Sequence, residues 1–357
     1  MLEYSLKELP LPMELETKRV LKSTLAANRY LAELKGVSES LPNQNIIINT
    51  LALQEAKDSS EIENIVTTYD EMYKAELYST LVISSATKEV QNYAQALRTG
   101  FSLVQKSKLL SCNHIIAIQQ LLEGNNAGFR KLPGTDLKNI STGKTIYTPP
   151  QDNQTIVRLM RNLECYINDA SLSDVDPLIK LAIIHHQFES IHPFYDGNGR
   201  TGRIINILYL VLEGLLDIPI LYLSRYFIET KADYYRLLQL VRDTNNWEEW
   251  IIYTLKGIET TSKQTIQMIE KIKNLMQKYK HDIRKNFRFY SQDLLNNIFC
   301  NPYTKIEYLE RDLQISRLTA TKYLDQLADA GYLEKHKIWR SNYYINRPLF
   351  DLLCNPP

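Results

Sequence analysis

The stretch that decides the interpretation of this chain is Ile191–Arg203, which reads IHPFYDGNGRTGR. Pro193 ends the helix predicted before it, so His192 lies at the C-terminal edge of that helix. The glycine-rich run Asp196–Gly199 predicts a sharp turn, and a long apolar helix begins close to Arg200. Such a turn exposes several backbone N–H groups to one point at a helix N-terminus. The stretch therefore predicts an anion cradle, strengthened by the helix dipole.

The side chains of this stretch fit a nucleotide site. Arg200 and Arg203 are three residues apart on the first helical turn, and a planar guanidinium suits phosphate. The carboxylate of Asp196 is the hard oxygen ligand that Mg²⁺ prefers. The imidazole of His192 is placed to accept a proton from an attacking hydroxyl at neutral pH. Each piece alone is common as a turn or a packing residue, but the whole run favours an active site.

The same run resembles the signature of the Fic family, H-P-F-x-[DE]-G-N-G-R-x-x-R, at every specified position. The resemblance implies a mainly α-helical fold with a β-hairpin flap. For most members it also implies transfer of AMP from ATP to a hydroxyl of a target protein. Gly199 places the sequence on the AMP-transfer side of the family, because the kinase-like toxins carry lysine at that position.

The resemblance further implies a role for each residue of the run. His192 would deprotonate the target hydroxyl, and Asp196 would hold Mg²⁺ between the α- and β-phosphates of ATP. Arg200 would contact the α- and β-phosphates, and Arg203 would contact the γ-phosphate. The backbone N–H groups that bind the phosphates would be those of Gly197, Asn198 and Gly199.

Two other segments resemble parts of the same fold. Turn residues and short β-prone pieces in residues 124–151 predict an exposed hairpin, which resembles the flap. By the resemblance, an extended target segment would pair with the flap edge at Thr145, Ile146 and Tyr147. The segment Lys231–Tyr235 resembles the one that lines the adenine side, so Tyr234 and Tyr235 are candidate nucleotide-pocket residues. Core packing is the alternative for either tyrosine.

A second motif lies far upstream of the first. Ser59 and Glu63 are four residues apart and share one face of a predicted helix, which alone would suit a solvated helix face or a cap. Together with the downstream run, the pattern resembles the family's inhibitory motif, [ST]-x-x-x-E-[GN]. The resemblance implies that Glu63 pairs with Arg203 and competes with the γ-phosphate for that guanidinium.

Composition excludes several classes of protein. The 357 residues are 44% apolar, and 42 basic against 41 acidic residues give a formal charge of +1. Neither wholesale disorder nor a global field for nucleic acid or membrane is indicated. The four cysteines lie far apart, which favours free thiols in a reducing compartment. The N-terminus lacks the pattern of a secretory signal, so we expect a soluble, cytoplasmic protein without a membrane partner.

Periodicity and composition predict four parts. Residues 1–100 form an N-terminal helical region with the inhibitory motif, and residues 101–257 form the catalytic core. Residues 258–295 are expected to be a solvated basic linker helix, because residues 262–290 hold eight Lys or Arg against two acids. Residues 296–357 are expected to form a separate small winged helix-turn-helix domain, with its second helix capped by Ser316 and ended by Gly331.

The winged helix has two open roles. Residues that could face DNA are Arg317, Thr319, Thr321, Lys322, Lys335, Lys337 and Arg340. However, residues 303–347 hold eight basic and six acidic residues, which is a weak positive charge for a dedicated DNA binder. DNA binding and a protein contact, such as dimerisation or docking within the chain, therefore both stay open.

Some residues suggest chemistry that their spacing does not support. His185, His186, Glu189 and His192 could suggest zinc, but the spacing differs from H-E-x-x-H. We expect His185 and His186 to pack or to form hydrogen bonds, and Trp247, Trp250 and Tyr253 to be core residues.

The leading interpretation is an ATP-dependent protein adenylyltransferase with Mg²⁺, restrained by Glu63 and active on a target protein and on itself. Two alternatives remain from the sequence. One is a DNA-binding regulator that senses nucleotide without fast turnover. The other is an enzyme of the same fold that removes AMP from targets, with Glu63 positioning water. The family resemblance also suggests a homodimer.

Overall fold

The computed structural model describes residues 6–41, 43–77, 84–138, 142–338 and 341–354. These residues form fifteen α-helices and five short strands, which confirms the predicted mainly α fold with one hairpin and a C-terminal mixed segment. The helices before the first strands are α1 Lys18–Glu39, α2 Asn45–Ile62, α3 Tyr69–Leu77, α4 Ser85–Ser107 and α5 Cys112–Glu123. The hairpin strands are β1 Leu137–Lys138 and β2 Thr145–Tyr147.

The second half of the chain is helical until its last fifty residues. Its helices are α6 Asn153–Asn168, α7 Pro177–Ile191, α8 Asn198–Leu212, α9 Leu223–Glu229, α10 Lys231–Thr244 and α11 Trp247–Asn286, with a short 3₁₀ turn at Ala170–Leu172. The remaining elements are α12 Gln292–Cys300, β3 Tyr303–Lys305, α13 Ile306–Leu313, α14 Arg317–Asp329, β4 Glu334–Ile338, β5 Ser341–Ile345 and α15 Arg347–Cys354.

Helices α7 and α8 form the centre of the core. All residues of α7 after Pro177 are buried, and in α8 nearly every residue is buried. A helix that is buried all round has no solvent face, so it must be covered by other helices on every side. Helices α2, α4, α5, α6 and α11 provide that cover. The predicted catalytic run is the connection between these two central helices.

The basic helix that the sequence predicts to be solvated is instead partly buried. Helix α11 is continuous across the expected boundary at residues 257 and 258, and it packs along α1. Its buried face includes Thr261, Met268, Ile272, Met276 and Tyr279. The basic residues that suggested solvation share the helix with this apolar stripe. A charge count summed over the segment hides the stripe, because opposite faces of a helix alternate within each turn.

The C-terminal segment, residues 292–354, contains the predicted pair of helices followed by a β-ribbon. Ser316 caps α14 by accepting a hydrogen bond from the Thr319 N–H at 3.3 Å. The sheet has the order β3-β5-β4 and is antiparallel throughout the described residues. Residues 339 and 340, which hold the predicted basic Arg340, lie outside the described part of the chain.

This segment packs against the N-terminal helices. The Tyr303 hydroxyl donates to Asp70 of α3 at 2.7 Å, and Asn301 donates to Glu76 at 2.8 Å. The rings of Tyr73 and Tyr303 stack with centroids 5.5 Å apart. The segment is therefore in direct contact with the α2–α3 region, rather than isolated at the end of a linker.

Two further observations concern the cysteines and the length of the apolar helices. All four cysteines are free thiols. None of the described helices combines the length and apolar character that crossing a bilayer requires.

Candidate active site

His192 is held in a fixed turn at the end of α7. Its backbone is left-handed, with φ of 48°, and its N–H donates to the Phe188 carbonyl at 3.0 Å. Arg130 fixes the turn from the other side, because its Nε donates to the His192 carbonyl at 2.9 Å. The Arg130 backbone N–H also donates to the Pro193 carbonyl at 2.8 Å. The imidazole is therefore placed by backbone hydrogen bonds, as the helix-ending proline predicts.

The electrostatic environment keeps the His192 imidazole neutral. Burial, together with the positive charges of Arg242 and Arg130, lowers the pKa of His192 to about 4. Nδ1 of the ring has no hydrogen-bond partner among the described residues. At pH 7 the ring is uncharged, which is the state that can accept a proton.

The turn after His192 is braced by its own polar side chains. Asn198 Oδ1 accepts from the Phe194 N–H, and Asn198 Nδ2 donates to the Phe194 carbonyl, both at 2.9 Å. Gly197 has φ of 75°, a conformation that favours glycine. Its N–H donates to Asp196 Oδ1 at 2.7 Å, while the rest of the Asp196 side chain is exposed. The following N–H groups, at the start of α8, have no acceptor within the helix.

Glu63 lies against this helix start and joins both arginines. One oxygen, Oε1, accepts from Arg203 at 2.8 Å, and the other, Oε2, accepts from Arg200 Nε at 2.7 Å. A Cβ at Gly199 would come within 2.5 Å of Glu63 Oε1, so the carboxylate touches the backbone of the cradle. The sequence predicted the Arg203 contact, and the structure adds Arg200. The carboxylate of Glu63 occupies the place where the cradle would receive an anion.

The segment that holds Glu63 also binds Arg203 through Ser59. Arg203 Nε donates to Ser59 Oγ at 2.7 Å, and the guanidinium donates to the Ser59 carbonyl at 2.9 Å. Asn64 follows Glu63 with φ of 65°, a conformation that asparagine tolerates better than most residues. Its side chain accepts from Lys231 Nζ at 3.1 Å. The end of α2 is thus fixed on both sides of Glu63.

Two carboxylates near the cradle were missed by sequence reasoning. Glu89 of α4 and Glu123 of α5 each pair with Arg200 at 2.9 Å. Arg200 is 3% exposed, and Asp196 lies 3.8 Å from it. No local pattern in the sequence marks these acids, because they come from helices about 75 to 110 residues upstream. Because carboxylates surround the buried guanidinium, a phosphate can contact Arg200 only if one of these carboxylates moves away.

The described strands of the flap lie close to His192. Strands β1 and β2 are antiparallel, and residues 139–141 between them lie outside the described chain. Thr145 and Ile146 are exposed, whereas Tyr147 is buried and its hydroxyl donates to the Ser190 carbonyl at 2.8 Å. Tyr195 accepts a hydrogen bond from the Lys131 N–H at 2.9 Å. This bond joins residues 192–197, the predicted catalytic turn, to the base of the flap.

The two candidate tyrosines lie in different environments. Tyr234 is 1% exposed, and its hydroxyl bonds with His185 Nε2 at 2.9 Å. Tyr235 is 49% exposed. Of the two rings, Tyr234 therefore belongs to the core in this conformation, and Tyr235 is accessible. Their binding of nucleotide stays a prediction.

The histidines and tryptophans that the sequence assigned to packing are in the core. His185 and His186 are buried, and His186 Nε2 bonds with the Leu238 carbonyl at 3.1 Å. Trp247 and Trp250 are also buried, at 2% and 0% exposed. The interpretation of these residues as packing and hydrogen-bonding groups is confirmed.

Comparison with known protein families gives three matches, each to a different part of the chain. A model described as Fic/DOC family N-terminal matches residues 21–102, and one described as Fic/DOC family matches residues 109–210. A model of the C-terminal domain of protein adenylyltransferase SoFic-like matches residues 275–349. The second of these includes the catalytic turn and the flap, and the first includes Ser59 and Glu63.

The curated relatives that the chain resembles are described as protein adenylyltransferases. The chain is 26% identical to protein adenylyltransferase fic-1 of Caenorhabditis briggsae over 54% of this chain and 37% of that protein. It is 29% identical to a probable protein adenylyltransferase of Aquifex aeolicus over 48% of this chain and 51% of that protein. The chain therefore spans about half or less of the length of these relatives.

Solved structures share the fold. A Fic family protein from Desulfovibrio desulfuricans superposes with a TM-score of 0.60 at 18% identity, covering 94% of this chain and 98% of that one. A Fic-1 fragment from Caenorhabditis elegans superposes with a TM-score of 0.55 at 22% identity, covering 70% and 74%. At these identities the likeness concerns the fold alone.

Proposed function

The chain belongs to the Fic/DOC family, and we propose that it transfers AMP from ATP to a hydroxyl side chain of a target protein and of itself. The observation that carries the proposal is the position of His192, a partly buried imidazole with a lowered pKa on the turn that leads into the α8 cradle. The descriptions of the curated relatives support the same activity.

The proposed reaction is a single displacement at the α-phosphorus. The target hydroxyl gives its proton to the His192 imidazole as its oxygen bonds to the α-phosphorus. The bond from that phosphorus to the oxygen shared with the β-phosphate breaks, and pyrophosphate leaves with the bonding electrons. The N–H groups at the start of α8, with Arg200 and Arg203, stabilise the negative charge that grows on the phosphoryl oxygens.

A magnesium ion fits the residues present. Asp196 has one oxygen engaged by the Gly197 N–H, and 77% of its side chain is exposed beside the cradle. Mg²⁺ commonly uses one or two carboxylates together with substrate phosphates and waters, so a single exposed carboxylate is sufficient. Asp196 would hold the ion, which when bound supplies charge neutralisation for the phosphate oxygens.

The resting enzyme is proposed to be restrained by Glu63. Its two oxygens engage the two guanidinium groups that a triphosphate needs, and it lies on the backbone of the cradle. ATP that entered beside this carboxylate would lack its γ-phosphate contact to Arg203 and would hold its α-phosphate poorly for in-line attack. We infer that Glu63 must leave before AMP transfer becomes fast.

The other functions are not favoured by specific contacts. Removal of AMP would need Glu63 to position water, but both of its carboxylate oxygens are engaged by arginines. For DNA binding, Arg317 pairs with Glu307 at 3.0 Å and Lys335 pairs with Asp325 at 2.7 Å, which neutralises two of the candidate contacts. DNA, a homodimer and a cytoplasmic location stay predictions from the sequence.

The test is mass spectrometry of the full chain after incubation with ATP and Mg²⁺. Wild type, Glu63→Gly and the Glu63→Gly, His192→Ala double variant are compared under identical conditions, with a crude protein extract added in a second series. We expect covalent AMP on Glu63→Gly, little on wild type and none on the Glu63→Gly, His192→Ala double variant. If the double variant still gains AMP, His192 is not the base. If no sample gains AMP, the proposed activity is wrong.

A further inference from the structure

A buried carboxylate near the cradle has no part in the reaction described above. Glu189 lies on α7, three residues before His192, and is 8% exposed. Its Oε1 has no hydrogen-bond partner among the residues that the structure describes. Buried acceptors are nearly always paired in folded proteins, so an unpaired carboxylate oxygen needs a reason. A position that served packing alone would be better filled by an apolar side chain.

Glu189 lies against the first turn of α8. A Cβ at Gly202 would come within 2.8 Å of Glu189 Oε1 and 3.1 Å of the Phe188 ring. Glycine at 202 therefore leaves room for the carboxylate to approach the helix backbone. Gly202 is three residues beyond Gly199, which is about 4.5 Å along the helix axis. Oε1 of Glu189 is thus about one helical turn along α8 from the backbone N–H groups that would hold the phosphates.

Charged side chains near Glu189 act on its carboxylate. Burial raises the pKa of Glu189 to about 7, while Arg203 and Arg242 act in the opposite direction and Glu63 adds to the rise. The pKa of the half-exposed Tyr235 is raised by burial, and Arg203 and Glu189 also act on it. Arg203 therefore lies near enough to Glu189 for its charge to act on the carboxylate, and Glu189 in turn acts on Tyr235.

The part of a nucleotide that follows directly after the α-phosphate is the ribose. Its two hydroxyl groups are hydrogen-bond donors of the kind that a buried carboxylate oxygen lacks here. Carboxylates bind ribose hydroxyls in other nucleotide sites by this same pairing. We propose that Glu189 accepts a hydrogen bond from the ribose diol of ATP and thereby selects ribonucleotides over deoxyribonucleotides. This inference rests on the proposed function, because it takes the α8 cradle as the phosphate site.

The alternative is that Glu189 only positions Arg203 through its charge. The two roles differ in which substrate group they affect. A ribose contact is lost when the nucleotide lacks the hydroxyl, so a change at Glu189 has no further effect on a deoxynucleotide. A positioning role acts through the phosphates, which all these nucleotides share, so a change at Glu189 weakens each of them equally.

The experiment is a binding cycle on the full chain carrying Glu63→Gly, so that the phosphate site is open. Isothermal titration with ATP, 2′-deoxyATP and 3′-deoxyATP is carried out with Glu189, Glu189→Gln and Glu189→Ala. Glu76→Gln, on α3, is the matched control for loss of a carboxylate elsewhere. Thermal unfolding of each variant checks that it is folded, and Glu189→Gln, which keeps the shape, serves if Glu189→Ala does not fold.

We expect Glu189→Ala to weaken ATP binding by roughly 10- to 100-fold, with Glu189→Gln between it and the parent. At least one deoxynucleotide is expected to bind the parent equally weakly and to lose nothing further on substitution. Equal losses for all three nucleotides, or no loss for any, would overturn the ribose contact. Because the readout is binding, a variant that binds with this pattern yet gains no AMP refutes the proposed activity and not this inference.

Discussion

Replacing Glu63 with glycine is the perturbation that probes the site most directly. Glu63 accepts from Arg200 Nε at 2.7 Å and from Arg203 at 2.8 Å. Arg203 would keep its two hydrogen bonds to Ser59, and Arg200 would keep its pairs with Glu89 and Glu123. The substitution therefore removes the anion that competes with the triphosphate without removing the other groups that hold both guanidiniums.

The magnitude follows from the two hydrogen bonds. A hydrogen bond to a charged group contributes roughly 1.5–3 kcal/mol, and the 24% exposure of the Glu63 side chain reduces this. We take about 2–4 kcal/mol for the pair, which corresponds to roughly a 30- to 1000-fold rise in the rate of AMP transfer at low ATP. The same loss should destabilise the ligand-free protein by about 1–3 kcal/mol, since Arg203 stays buried with one partner fewer.

The assay measures initial rates of AMP incorporation from labelled ATP, together with thermal unfolding with and without ATP and Mg²⁺. Glu61→Gly is the control, because Glu61 lies on the same turn of α2 but pairs with Lys57 at 2.7 Å rather than with the arginines. Glu63→Gly should unfold at a lower temperature than wild type without ATP and gain more stability when ATP is added. Equal AMP incorporation by wild type and Glu63→Gly would refute the role given to Glu63, as would an equal rise in Glu61→Gly.

Three further predictions concern other groups. His192→Ala in the Glu63→Gly chain should abolish AMP transfer while changing ATP affinity less than about threefold, because the imidazole acts on the target hydroxyl. Rate measurements and titration calorimetry check the two effects. A large loss of ATP affinity would contradict this role. The ring of His192, whose pKa burial lowers to about 4, should stay neutral down to pH 5 in NMR titration of histidine-labelled protein, and an apparent pKa above 6 would contradict the structure. Burial raises the pKa of Glu55 from 4.5 to about 7, so its stabilising contribution is full below pH 4.5 and is lost as the pH rises towards 7. Glu55→Gln should therefore gain on the order of 3 kcal/mol of unfolding free energy relative to wild type between pH 4.5 and 8, measured by denaturant unfolding, and a constant difference across that range would oppose the assignment.

The catalytic turn was readable from the sequence because its geometry is local. Pro193 and the run Asp196–Gly199, all within seven positions, define where one helix ends and where the next begins. The four-residue spacing of Ser59 and Glu63 was readable for the same reason, since it is a property of one helix turn. The partner Arg203 lies 140 residues away from Glu63, and its assignment needed the family resemblance as well as the spacing.

Helix α11 shows how a local count can fail. The excess of lysine and arginine in this segment is real, but it says nothing about which face of the helix carries the charges. The buried positions Met268, Ile272, Met276 and Tyr279 recur at helical spacing within the same basic segment. Whether such a stripe faces water or another helix is decided by what packs there: α1, α12 and α15 all pack against α11, and Tyr279 contacts Phe299 and Tyr332.

The sequence by itself determined the mainly helical fold, the turn between α7 and α8 and the four-residue spacing of Ser59 and Glu63, because each is fixed by hydrogen bonding and side-chain spacing within one or two helical turns. The tertiary structure alone decided that Glu63 joins Arg200 as well as Arg203, that Glu89 and Glu123 surround Arg200, and that Glu189 lies against α8 with an oxygen that has no hydrogen-bond partner among the described residues. These groups come together only when separate helices pack. Packing depends on the shape of whole buried faces, and no periodicity within one helix records it.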